Sequence, residues 1–137
     1  MGTKHHLLVD RNGIPLNVSL GPANRHDSLT LESMLDTIVP IRQPRGRPRR
    51  RPYKLHADKA YDARTNRLAC RLRGVIPRIA RKRIDSGERL GRVRWVVERT
   101  FSWLHRFRRL AVRYERRSDI HFAFLVLATV LICLNFL

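Results

Sequence analysis

Apolar and polar positions alternate at the start of the chain and then change period. In "TKHHLLVDRNGIPLNVSLGPANRHD" two apolar runs, His6–Val9 and Ile14–Leu20, flank Asp10-Arg11-Asn12-Gly13. Asn-Gly between apolar runs is a strong turn signal, so the spacing predicts a β-hairpin. "HDSLTLESMLDTIVP" places Leu31, Leu35 and Ile38 at helical spacing, with Asp27 or Ser28 as N-cap and Pro40 past the stop. "YKLHADKAYD" reads as a short strand whose end carries Asp58, "ARTNRLACRLRG" as a helix ended by Gly74, and "VIPRIA" as a second short strand. "RKRIDSGERLG" is a basic connector into "RWVVERTFSWLHRFRRL", Arg94–Leu110, one amphipathic helix. Ser118 or Asp119 then caps a last helix, 119–137. The order β-β-α-β-α-β-α-α predicts one α/β layered domain over residues 1–137.

The last helix contains a thirteen-residue stretch, "FAFLVLATVLICL", apolar except for Thr129. A bilayer span needs about 20, so a buried core helix is expected and no membrane partner. A tail anchor with an arginine flank is the competing reading.

Charge changes the picture more than hydropathy does. The 137 residues carry 29 Lys and Arg against 11 Asp and Glu, a formal net charge of +18. Such a chain repels itself when compact, and a polyanion relieves that repulsion. Most of the excess is arginine, whose planar fork suits phosphate, so DNA or RNA is the leading partner class. "RQPRGRPRRRP", 42–52, holds six arginines and three prolines and cannot form a core. It is expected to be an exposed loop, with Arg45, Arg47, Arg49, Arg50 and Arg51 on the DNA backbone. Cys70 and Cys133 form no CxxC or zinc spacing, and no signal peptide is visible, which fits a reducing cytoplasm.

Two carboxylates invite chemistry. Asp58 stands where a strand leaves the sheet, a place where α/β folds put reactive groups; an ion pair or helix cap is the plainer alternative. Arg94, Glu98, Ser102, His105 and Arg109 share one polar helix face, beside an apolar stripe of Val93, Val97, Phe101, Leu104 and Ala111. There the plainer alternative is an Arg94–Glu98 pair worth a few tenths of a kcal/mol. Phosphodiester chemistry, however, needs metal held by carboxylate oxygens within a basic surround. Guanidinium groups also favour the ionised carboxylate that binds metal. Trp95 and Trp103, on the flanks of this helix, are expected in the core.

"KHHLLVDRNGIPLNVSLGPANRHDS", "LHADKAYD" and "RWVVERTFSWLHRFRRL" resemble, in order and spacing, the C-terminal part of DDE-type transposases of small bacterial insertion sequences. The resemblance covers nearly the whole chain. It implies a ribonuclease-H-like mixed sheet flanked by helices, and three acids binding Mg2+ or Mn2+. It implies cleavage at transposon ends, joining to target DNA, and a nucleoid-associated cytoplasmic location. Carried over, Asp58 is the second acid and Glu98 the third, both as catalytic metal ligands with thirty-nine residues between them. Arg94 matches the arginine four residues before the family's glutamate. The family's tyrosine is replaced by Gly91, and its lysine by His105, with Arg106 adjacent; His105 and Arg106 are the DNA contacts carried to that position.

The family's first acid lies on a strand before the hairpin, and the resemblance therefore implies a domain truncated at its N-terminal strand. Asp10, in the turn, and Asp27, as a cap, are poor substitutes. The expectation is a catalytic part that is inactive alone, lacks a central strand and is poorly soluble. It would be completed, as a homo-oligomer when full length, by an upstream reading-frame product. A non-catalytic DNA-binding remnant or regulator of transposition is the alternative.

Overall fold

The computed structural model describes residues 2–81 and 87–137. Strands β1, Thr3–Val9, and β2, Pro15–Pro22, form the expected antiparallel hairpin. Its turn is fixed by Asp10, whose Oδ1 accepts the N–H groups of Asn12 and Ile14, both at 2.8 Å. Gly13 takes φ 87°, and a Cβ there would stand 2.9 Å from Thr100 Oγ1. Both the backbone conformation and the close approach therefore call for glycine.

A 3-10 turn, Asp27–Leu29, leads into helix α1, Leu31–Asp36. The cap is neither Asp27 nor Ser28: the His26 ring accepts the Ser28 N–H at 3.2 Å. Asp27 is drawn instead to Lys4 on β1, at 2.9 Å. Strands β3, Lys54–Ala57, and β4, Ile76–Ile79, pair in parallel through helix α2, Arg64–Leu72. A parallel pair needs such a crossover. Gly74, at φ 70°, ends α2 as expected, its N–H bonding to the Arg71 carbonyl at 2.9 Å while the Val75 N–H returns to Cys70.

The described strands do not join into the single mixed sheet. Among the described residues there are two separate two-stranded sheets, β1-β2 and β3-β4. Each strand keeps one unpaired edge. The two sheets meet through side chains, notably His6 on β1 and the Tyr61 hydroxyl beyond β3, 3.1 Å apart. Leu7 and Leu8 show how the layers are built, because successive strand residues point to opposite faces. Leu8 packs on a core of Leu31, Leu35, Ile38, Leu55, Cys70, Val75 and Ile79. Leu7 packs on a second core of Leu104, Leu110, Leu125, Ala128 and Ile132.

The second core belongs to the C-terminal helices. Helix α3 runs Gly87–His105, so the chain is already helical inside the expected connector; residues 82–86 of that connector lie outside the described residues. The single helix expected to Leu110 breaks after His105. Arg106 and Phe107 close on Trp103 and Leu104 with three-residue bonds, and Phe107 turns extended before helix α4, Arg108–Ala111. The break lets Leu104, Phe107 and Leu110 all reach the same core. Helix α5 is Ser118–Leu134, with Arg117, not Ser118 or Asp119, at the N-cap position. Asp119 lies in its first turn and pairs with Arg117 at 2.5 Å. Only one side of α5 is buried, while Val126, Leu127, Val130, Leu131 and Leu134 remain exposed. Among the described residues no helix is long and apolar enough to cross a membrane.

Candidate catalytic acids and nucleic-acid surface

Asp58 is the first residue past β3. Its Oδ1 accepts the Lys59 N–H at 2.6 Å and its carbonyl accepts the Tyr61 N–H at 2.9 Å, closing a 3-10 turn over Lys59–Tyr61. The capping geometry weighed for Asp58 is thus present, and it also fixes where the carboxylate sits. Tyr61 anchors the turn. Its carbonyl accepts from Asn66 Nδ2 at 3.0 Å, and its hydroxyl meets His6. Burial, with Asp27 and Asp58 nearby, pushes the phenol up to about 12. Burial also lowers the His6 imidazole, although Asp27 pulls the other way. The Asp58 turn is therefore braced on β1 by a hydroxyl that stays protonated.

Glu98 lies on the outer face of α3. Its Oε1 is 3.1 Å from Arg94 NH2, and the two side chains are 59% and 52% exposed, so the plain i,i+4 pair is also present. The helix beneath it is held in register by the hairpin turn: Thr100 Oγ1 donates to the Gly13 carbonyl at 2.8 Å, and Arg99 NH2 to the Asn12 carbonyl at 2.6 Å. The Arg99 guanidinium is stacked between Trp95, 4.5 Å away, and Trp103, 4.8 Å away. Trp103 packs toward the second core as expected, but Trp95 does not: it is 50% exposed. Trp95 instead covers Arg99 on the helix surface.

The predicted DNA contacts divide. Arg94, His105 and Arg106 are exposed on α3 and at its end. Arg109 leaves the Glu98 face because of the helix break; it bonds Glu115 at 2.6 Å and lies over the Phe124 ring. Arg45, Arg47, Arg49, Arg50 and Arg51 are all exposed in the loop, as expected. Asp10 and Asp27 are both engaged structurally, in the hairpin turn and with Lys4.

One buried polar cluster was not legible in the sequence. His5 Nε2 on β1 lies 2.9 Å from His121 Nε2 on α5, with the rings stacked. His121 is 1% exposed, and its Nδ1 faces Glu115 Oε2 at 3.7 Å. Burial lowers the His5 imidazole, and His121, His105, His6 and Arg113 add to that. His5 and His121 are 116 positions apart, so no local pattern could signal their meeting.

Asp58 and Glu98 offer the hard oxygen donors that Mg2+ and Mn2+ take. Among the described residues, no group of three or more His, Cys, Asp or Glu side chains is arranged to hold a metal ion. The donor chemistry fits, and the acids come from two different elements.

Residues 1–135 match the family model of the transposase DDE domain. A putative transposase for insertion sequence element IS402 from Burkholderia cepacia is 52% identical over 134 residues, which cover 98% of this chain and 64% of that protein. The chain thus spans less than two thirds of that relative's length. No solved structure matches the chain. With residues 1–135 of its 137 matched by the family model, the chain belongs to the transposase DDE domain family.

Proposed function

We propose that this chain is the C-terminal part of the catalytic domain of an insertion-sequence transposase, with Asp58 and Glu98 as two of its metal-holding acids. The observation that carries the reading is the pairing of family membership with placement. Asp58 stands at the end of β3 in a braced turn, and Glu98 is exposed on a helix pinned to the hairpin. Divalent metal, Mg2+ or Mn2+, would activate the attacking oxygen and stabilise the leaving one when bound. The chain's own contribution is to hold its carboxylates in place. The Lys59 N–H does so at Asp58 and the Arg94 guanidinium at Glu98. Arg94, His105, Arg106 and the loop arginines hold DNA phosphates around them.

Asp10 closes the hairpin turn and Asp27 pairs with Lys4 on β1, and in this reading the third ligand comes from elsewhere in a complete product. The two open-edged sheets support a ribonuclease-H-like arrangement in which a further strand joins β1 to β3. The complete product would act in the cytoplasm, at the nucleoid, as a homo-oligomer on transposon ends and target. The test is a strand-transfer assay with the product extended to the relative's full length, supplied with end DNA, target DNA and Mg2+ or Mn2+. Joined products are expected; DNA binding without any cleavage would instead favour the non-catalytic reading, a regulator that occupies transposon ends.

A further inference from the structure

The loop between α1 and β3 has more order than a solvated charge run requires. Ile41 and Arg49 exchange both backbone hydrogen bonds, at 2.9 and 2.8 Å, as an isolated antiparallel bridge. That bridge closes a tip made of Arg42-Gln43-Pro44-Arg45-Gly46-Arg47-Pro48. Gly46 sits at its centre with φ 90°, and a Cβ there would have nothing within 4 Å. Prolines at 44 and 48 fix the chain on either side, so the tip is bent and stiff and cannot collapse into a helix. Between Asp36 and Asp58 there is no acidic residue. Among the described residues, Arg42, Arg45, Arg47, Arg49 and Arg50 have no side-chain hydrogen bond or ion pair, whereas Arg51 donates to the Arg73 carbonyl at 3.3 Å and ties the loop base to α2.

We infer that the Arg45-Gly46-Arg47-Pro48 tip is a minor-groove reader for A·T-rich duplex DNA. This rests on the DNA-binding reading above and goes beyond it, because contact with phosphates alone would carry no base preference. The minor groove is about 6 Å wide and excludes a helix. A backbone whose central residue has no side chain can enter it. Arginines on either side of that glycine can then run along the groove in opposite directions. A·T tracts narrow the groove and deepen its negative potential, which favours inserted arginine. A G·C pair raises the guanine amino group from the groove floor and blocks the backbone from seating. Proline reduces the ordering entropy that a flexible arm would lose on binding.

The test is fluorescence anisotropy of the full chain with A·T-rich and G·C-rich duplexes of roughly 20 base pairs at about 0.1 M salt. The A·T duplex is expected to bind about tenfold more tightly, and netropsin, a minor-groove ligand, should remove that advantage. Gly46→Ala leaves the charge unchanged and puts a methyl on a backbone with positive φ; it should reduce the preference to within about twofold while binding to G·C duplex stays. Replacing Arg45 and Arg47 together by Lys should likewise erase the preference and keep the salt dependence. Equal affinity for the two duplexes, or a preference indifferent to both Gly46→Ala and netropsin, overturns the inference and leaves DNA binding standing. No binding to either duplex overturns both.

Discussion

Two arginine-rich stretches of this chain have similar composition and opposite fates. On α3 and α4, Arg94, Arg99 and Arg109 are engaged by the protein itself. Arg99 is clamped between two indoles and bonded to the hairpin turn, Arg94 is paired with Glu98, and Arg109 with Glu115. In the loop 42–52, five of six guanidinium groups have no protein partner among the described residues. The difference lies in what surrounds them. Those three arginines have carboxylates, carbonyls and aromatic rings within reach of their helices. The loop has no acid and no apolar residue between Arg42 and Pro52 to fold against. Arginine count alone therefore does not locate a nucleic-acid surface: the loop guanidinium groups are left unsatisfied, whereas Arg94 would share its own between Glu98 and a phosphate.

That contrast can be broken in stages. The largest effect should come from Arg99→Ala, which removes two cation–π contacts and the bond to Asn12. Its expected cost is roughly 2–3 kcal/mol of unfolding free energy by urea titration. Arg47→Ala in the loop should change stability by less than about 0.5 kcal/mol. If the two variants were equally stable, the division between structural and free arginines would fail. Replacing Arg45, Arg47, Arg49 and Arg50 together by Ala should leave the melting temperature nearly unchanged. It should also flatten the log-affinity against log-salt slope, by up to about 0.9 for each phosphate that the loop no longer neutralises.

A pH titration probes the same α3–α5 region by another route. The folded His5 imidazole lies below its usual value of 6.5, chiefly through burial and then His121. Its contribution is therefore fully present above that value and disappears as pH falls through the lower folded value. The melting temperature should thus drop on going from neutral to mildly acidic buffer, and His5→Gln should make the drop shallower. His6 and His56 are also lowered by burial and add to the drop in both proteins. The smallest effect should be that of Glu98→Gln on stability, within about 0.5 kcal/mol, because the Arg94–Glu98 pair is exposed.

Local chemistry in the sequence reached far but not across the fold. Asn12-Gly13 and Gly74 announced their turns because both depend on positive φ, which the next few residues cannot disguise. Leu31, Leu35 and Ile38 announced a buried helix face, and all three are buried. Strands were found, yet their pairing was not. Whether β1 meets β3 directly depends on what lies between them, and a two-residue period says nothing about that. The break after His105 carries no glycine, proline or capping signal; it arises because Phe107 and Leu110 both bury against α5. His26 took the capping role because Asp27 had a better partner in Lys4, a contact between residues 23 apart. At the candidate site, Asp58 and Glu98 stood out by position and charge, and the resemblance supplied the roles expected of them. Each also makes the plain local contact that the residues alone suggested.

The most direct test of the central reading is cleavage by the product extended to the relative's length, compared with its Glu98→Gln variant in Mg2+ and in Mn2+. The substitution keeps shape and removes one charge and a metal-binding oxygen. DNA affinity should stay within about twofold, while strand cleavage should be abolished in both metals. Cleavage at the unsubstituted rate would show that Glu98 does no more than pair with Arg94 on the surface of a basic helix.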